Sequence, residues 1–292
     1  MLDLKQLLIE KRPNLSKTSL ITYNSILRSL YKKVFNSIDI DPSKYNETEP
    51  ILSYLKDLEP NKRKTILAAL VVISDKKEYR DVMIEDIKEY NKEIAKQEKT
   101  KAQEDSWIDK DDVDKLLSDH EKTAKLLYKK SKLTPSDYQD IQNYIILCLL
   151  GGKYIPPRRA LDYCAFKVKN IDKKTDNYKT TRDLIFNTYK TAKTYGKQTL
   201  PIPSPLKTIL NKWVKINPTD YLLFDSSFNK LSNVKLNQRL NKLFGKKVSV
   251  NQLRHTYLTD KYQDHIETQN ELNNDVRGMG TSTLQFQTYV KH

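Results

Sequence analysis

At 292 residues the chain is long enough for two domains of ordinary size, each with its own core. Its 52 Lys and Arg against 37 Asp and Glu give a net charge of +15, an excess large enough to attract a polyanion, which makes nucleic acid the leading partner. Only two cysteines, both among apolar residues, speak against a disulfide-stapled secreted scaffold, and apolar runs such as Ile66 to Ile73 and Tyr144 to Leu150 are far short of the ~20 residues a membrane-spanning helix needs.

From Leu2 to Lys11 apolar residues fall on roughly one helical face, and Pro13 stops the helix. Charges interrupt this opening stretch, so no signal peptide is evident and a soluble protein is expected. Ser16 or Thr18 can cap a helix running to about Phe35, with Leu20, Tyr23, Ile26, Leu27, Leu30, Tyr31 and Val34 facing a core. The other face offers Lys17, Arg28, Lys32 and Lys33 to solvent or to phosphates. Residues 39–49 are turn-rich. A helix over about 50–58 precedes NKRKTILAALVVIS, whose basic head is Lys62, Arg63 and Lys64, and another helix begins near Arg80. The first hundred residues thus hold four or five helices and no convincing strand.

From Lys88 to Asp105 the chain becomes almost wholly charged or amide, as expected of a solvated helix end running into a linker. The expected organisation is a helical domain over 1–100, a linker at 101–106 and a second domain over 107–292. Residues 1–100 hold 19 basic and 16 acidic side chains against 33 and 21 in the remainder, so the C-terminal part carries the positive field. Trp107 and Ile108 restart a core, and DKDDVDKLLSDH has the acidic head a helix N-terminus prefers. A helix over about 138–150 is apolar enough for burial on most sides. In GGKYIPPRRALDY two prolines force an extended entry before a helix that carries Asp162 one turn after Arg159.

Residues 164–203 read as strands, FKVKNI, DLIFNTYKT and KQTLPIPS, which implies a small antiparallel sheet. The turn before the last of them offers Lys193, with Lys190 and Lys197 as rivals. An amphipathic helix over 206–216 follows. Ser232 can then cap a helix to Phe244 whose positions 234, 236, 240, 243 and 244 are apolar, leaving Lys235, Asn237, Gln238, Arg239 and Lys242 outside for groove or phosphate contact. The fold class is mainly α with a small antiparallel sheet.

The last fifty residues hold the most specific pattern: NQLRHT with Arg254, then MGTS with Gly280, then Tyr289. Together with Arg159 and Lys193 this ordered set resembles the signature of tyrosine recombinases, the phage-integrase family, in wording closest to integrases of viruses and mobile elements. The resemblance implies an N-terminal core-binding domain that clamps DNA and a C-terminal catalytic domain. It also implies a site-specific recombinase that cleaves and rejoins double-stranded DNA through a 3′-phosphotyrosine, without metal or cofactor, and self-associates as a dimer or tetramer on DNA. An intracellular place where DNA is accessible follows: nucleus, cytoplasm or viral factory. Tyr289 is the implied nucleophile, Arg159 and Arg254 the phosphate clamp and Lys193 the general acid; Arg158 is an alternative to Arg159. The DNA contacts expected are Lys17, Arg28, Lys32, Lys62, Arg63, Lys64, Arg158, Lys235, Arg239 and Lys242.

The chemistry fits these side chains. A phenol with a pKa near 10 needs a strongly positive setting to attack phosphorus, and two guanidinium forks suit the charge that develops on the phosphate oxygens. Two positions depart from the family. Asn251 and Thr281 stand where it usually has histidine, or histidine or tryptophan; each can hydrogen-bond a phosphate, but neither is a general base near neutral pH. A DNA-binding protein of the same fold with impaired catalysis, and a type IB topoisomerase-like strand transferase, are the alternatives.

Overall fold

The computed structural model describes residues 3–278, and the chain divides between Lys99 and Thr100 into two compact units. The first holds α1 (Leu4–Lys11), α2 (Lys17–Phe35), a 3-10 turn (Pro42–Asn46), α3 (Thr48–Leu55), α4 (Pro60–Ile73) and α5 (Lys77–Ala95). Ser16 is the N-cap of α2, its side chain accepting from the Ser19 N–H. The buried stripe Leu27, Leu30 and Tyr31 packs with Leu4, Leu8, Ile51, Leu55, Leu67 and Leu70. Two buried tyrosines keep their hydroxyls satisfied: Tyr45 Oη donates to Leu27 O at 3.0 Å and Tyr79 Oη to Tyr45 O at 2.9 Å.

The second unit begins with α6 (Lys101–Ser106), a short helix with a Thr100 capping box lying where the sequence suggests a linker. Then come α7 (Lys110–Leu127), α8 (Pro135–Leu150), α9 (Ala160–Cys164), β1 (Tyr178–Lys179), β2 (Asp183–Phe186), α10 (Ala192–Tyr195), β3 (Gln198–Pro201), α11 (Ser204–Ile216), α12 (Asn233–Phe244) and α13 (Val250–Gly278). The expected class, mainly helical with a small antiparallel sheet, is what the structure has; the sheet order is β1-β2-β3. Buried residues run along α8 from Ile141 to Leu150, each large one contributing about 1.5–3 kcal/mol by leaving water. Trp213 Nε1 donates to Leu222 O at 2.8 Å, and the Phe224 N–H to Gln142 Oε1 at 2.8 Å, fastening α11 and α8 to the segment between α11 and α12.

The strand positions correct the sequence reading. FKVKNI is not a ladder strand: Lys167 makes only single bridges, to Tyr178 and Tyr221, because Phe166 O and Val168 N bond Leu222 and Asp220 in an irregular crossing. The first strand is instead the two-residue β1. Its neighbour Asn177 is buried and ties the sheet to α9, its Nδ2 donating to Asp162 O and Thr188 O.

Candidate functional site

Two prolines hold the approach to α9 extended, and Arg159 occupies its N-cap with φ −67° and ψ 149°. The adjacent arginines are engaged differently. Arg158 Nε donates to Asp162 Oδ2 at 2.9 Å and its Nη1 to Gln198 Oε1 at 2.7 Å. Its guanidinium carbon lies 3.9 Å from the Phe186 ring centroid and 5.2 Å from that of Tyr189. Arg159 is half-buried and makes no ion pair or side-chain hydrogen bond with a described residue. Asp162 is 2 % exposed, and its Oδ1 is buried without a hydrogen-bond donor among the described residues.

The charges of Arg158, Arg159 and Arg254 all act on this carboxylate. Burial pushes the Asp162 pKa up from its ordinary value, while Arg158, by charge and hydrogen bond, and then Arg159 and Arg254 pull it down. The loop after α8 and the first turn of α13 therefore converge on Asp162. Arg254 is half-buried and donates from Nη1 to Asn251 Oδ1 at 3.4 Å, one turn earlier.

Three contacts hold α13 in place. Gly152 has φ +80°, and a Cβ there would stand 2.5 Å from Tyr257 Cδ2, so the Tyr257 ring rests against bare backbone. On the next residue back, Thr256 Oγ1 donates to Ile108 O at 2.6 Å. Ser106 Oγ donates to the buried Gln252 at 3.4 Å.

The third part is the β2–β3 hairpin, in which Phe186 pairs with Gln198. Its turn includes α10, where Lys193 is exposed. Tyr189 Oη donates to Gly196 O at 2.7 Å across that turn, and Gly196 closes α10 at φ +64°. Arg158 thus grips both strands at the base of the turn that carries Lys193. Thr281 and Tyr289 lie outside the described residues.

The basic residues expected to meet DNA fall into two groups. Lys17, Arg28, Lys32, Lys62 and Lys242 are exposed, Arg28 with a 3.4 Å bond to Asn24. Others have protein partners. Arg63 forms a forked ion pair with the 1 %-exposed Asp86, Lys64 Nζ lies 3.2 Å from the Tyr90 ring centroid, and Lys235 Nζ pairs with Asp225 at 2.6 Å. Arg239 does not point outside as its place in α12 suggests: it turns toward α8 and donates to Gln139, with burial lowering its pKa to about 10. Gln198, Phe186, Tyr189, Asn177 and Gly152 were invisible as site residues in the sequence, since a lone Gln or aromatic carries no local signal.

No family model and no curated protein matches the chain. Among solved structures it is similar to XerA recombinase at 14 % identity and TM-score 0.37, covering 89 % of this chain and 83 % of that one. It is similar to lambda integrase (75-356), solved as a dimer bound to a COC′ core site, at 14 % identity and TM-score 0.45, covering 89 % and 85 %. A further lambda integrase dimer on that core site matches at 16 % identity and TM-score 0.43, covering 90 % and 71 %. No helix of the described residues is long and apolar enough to cross a membrane.

Proposed function

We propose that this protein is a DNA strand-transfer enzyme of the tyrosine-recombinase kind, acting on double-stranded DNA as a self-associating site-specific recombinase. The observation that carries the reading is the convergence of Arg159 and Arg254, from segments far apart in sequence, on one buried carboxylate. The charges of Arg158, Arg159 and Arg254 all act on Asp162, and one carboxylate offsets only part of them. A phosphodiester between Arg159 and Arg254 would complete the balance, and their donors would follow the charge that grows on its oxygens during attack.

In this reading the Tyr289 oxygen attacks phosphorus and forms a 3′-phosphotyrosine, its proton passing to solvent. The bond to the 5′ oxygen breaks, and that oxygen takes a proton from the Lys193 ammonium, which solvent restores. Asn251 and Thr281 supply hydrogen bonds in place of a general base, so slow chemistry is expected. The residues in these roles need neither metal nor cofactor.

The test is covalent trapping on a pool of nicked duplexes with randomised core sequence. An adduct that survives denaturation and is lost in Tyr289→Phe supports the reading. No adduct on DNA that is demonstrably bound points instead to a DNA-binding protein of the same fold with impaired catalysis.

A further inference from the structure

We propose that Arg158 is a positioning residue that couples the lysine-bearing hairpin to the arginine cluster, and so sets where Lys193 can deliver its proton; this rests on the function proposed above. One guanidinium reaches four groups: Asp162 on α9, Phe186 at the end of β2, Tyr189 at the start of the turn and Gln198 at the start of β3. Phe186 and Gln198 are register partners, so Arg158 grips the hairpin where its strands separate. Tyr189 then carries the constraint across the turn through its bond to Gly196. Lys193 sits between these two anchored residues on α10, exposed to solvent.

The geometry also separates Arg158 from its neighbour. Two of its three nitrogens are already used, one on a carboxylate and one on an amide, and its face is covered by aromatic rings. A direct phosphate ligand needs that fork free, as Arg159 has it. A lysine could not replace Arg158, because a point charge cannot serve an acid, an amide and a ring at once.

The experiment compares full-length protein on two nicked duplexes, one with the ordinary 5′ bridging oxygen at the scissile phosphate and one with sulfur in its place. Sulfur leaves as a thiolate, since a thiol is far more acidic than an alcohol (about 8.5 for a cysteine thiol), and needs no proton from a general acid. Gln198→Met removes the hydrogen bond from Arg158 to the hairpin and keeps the Arg158–Asp162 pair and the ring contacts; Arg158→Lys and Lys193→Ala accompany it. On the oxygen substrate each should lose on the order of tenfold or more in the rate of phosphotyrosine formation, with DNA affinity unchanged. On the sulfur substrate each should return to the wild-type rate.

Gln198→Met and Arg158→Lys equally slow on both substrates would overturn the inference, because the defect would then lie at the phosphate or in the fold. So would a wild-type rate for Gln198→Met on the oxygen substrate. Absence of any adduct from the wild-type protein on either bound substrate would instead remove the strand-transfer reading itself.

Discussion

The ring of Tyr257 lies against the backbone of Gly152, its Cδ2 only 2.5 Å from where a Cβ would stand. Through this contact the helix of Arg254 meets the loop that leads to Arg159. A residue without a side chain is thus one of the three points that hold the helix of Arg254 in place.

Gly152→Ala should be costly for two separate reasons. An L-residue at φ +80° carries about 1–2 kcal/mol of backbone strain, and the new methyl overpacks the ring by about 1–3 kcal/mol more. Thermal melting should show the loss. Adding Tyr257→Ala should restore the overpacking part, so a double-mutant cycle is expected to be clearly non-additive. Additive effects would mean that the two residues do not set each other's position.

The basic residues of the first unit should separate into two classes. Lys17→Ala, Arg28→Ala and Lys32→Ala change exposed side chains of α2 and should leave stability almost unchanged. If all three touch phosphates, the triple variant should reduce the slope of log affinity against log salt by about 3. Arg63→Met should behave in the opposite way: it strands the buried Asp86 carboxylate and should cost about 3–5 kcal/mol in a denaturant melt.

That contrast marks how much was legible in the sequence. Helical periodicity reveals which positions face a core, and short polar caps reveal where helices start, so α2, with Ser16 or Thr18 as its cap, and α12 with Ser232 could be drawn from the residues alone. Partners distant in sequence leave no such trace. Asp86 is 23 positions from Arg63, and Gln139 is 100 from Arg239, so both arginines read as surface charges until the fold places them. The choice between Arg158 and Arg159 was open for the same kind of reason. Neighbours on an extended segment point in different directions, and only the positions of Gln198 and Phe186 reveal which guanidinium turns to the hairpin. β1 was missed because two residues in a polar stretch show no alternation.

Asp137 gives the fold a defined acid sensitivity. Hydrogen bonds from the Lys130 ammonium and the Thr134 N–H hold its carboxyl at about 2, below the ordinary 3.8. A folded pKa below the unfolded one means stability fully present above about 4 and lost as pH falls toward 2. Asp137→Asn should lower the melting temperature at neutral pH and flatten the acid limb between those values. A melting curve with an unchanged acid limb would show that the pair contributes nothing to folding.

Asn251 offers a test by gain rather than loss. It is exposed on the first turn of α13, its Oδ1 facing the Arg254 guanidinium at 3.4 Å, and it stands where the family resemblance expects a histidine. Asn251→His would place a titratable base beside the phosphate position without disturbing the core. The adjacent arginine and the positive end of the helix both disfavour imidazolium, so the new group should titrate below the ordinary value of about 6.5. If removal of the Tyr289 proton limits the reaction, the rate of adduct formation should rise on the order of tenfold above that inflection and fall back below it. An unchanged rate across the whole pH range would place the slow step elsewhere, such as the departure of the 5′ oxygen to which the proposed function assigns Lys193.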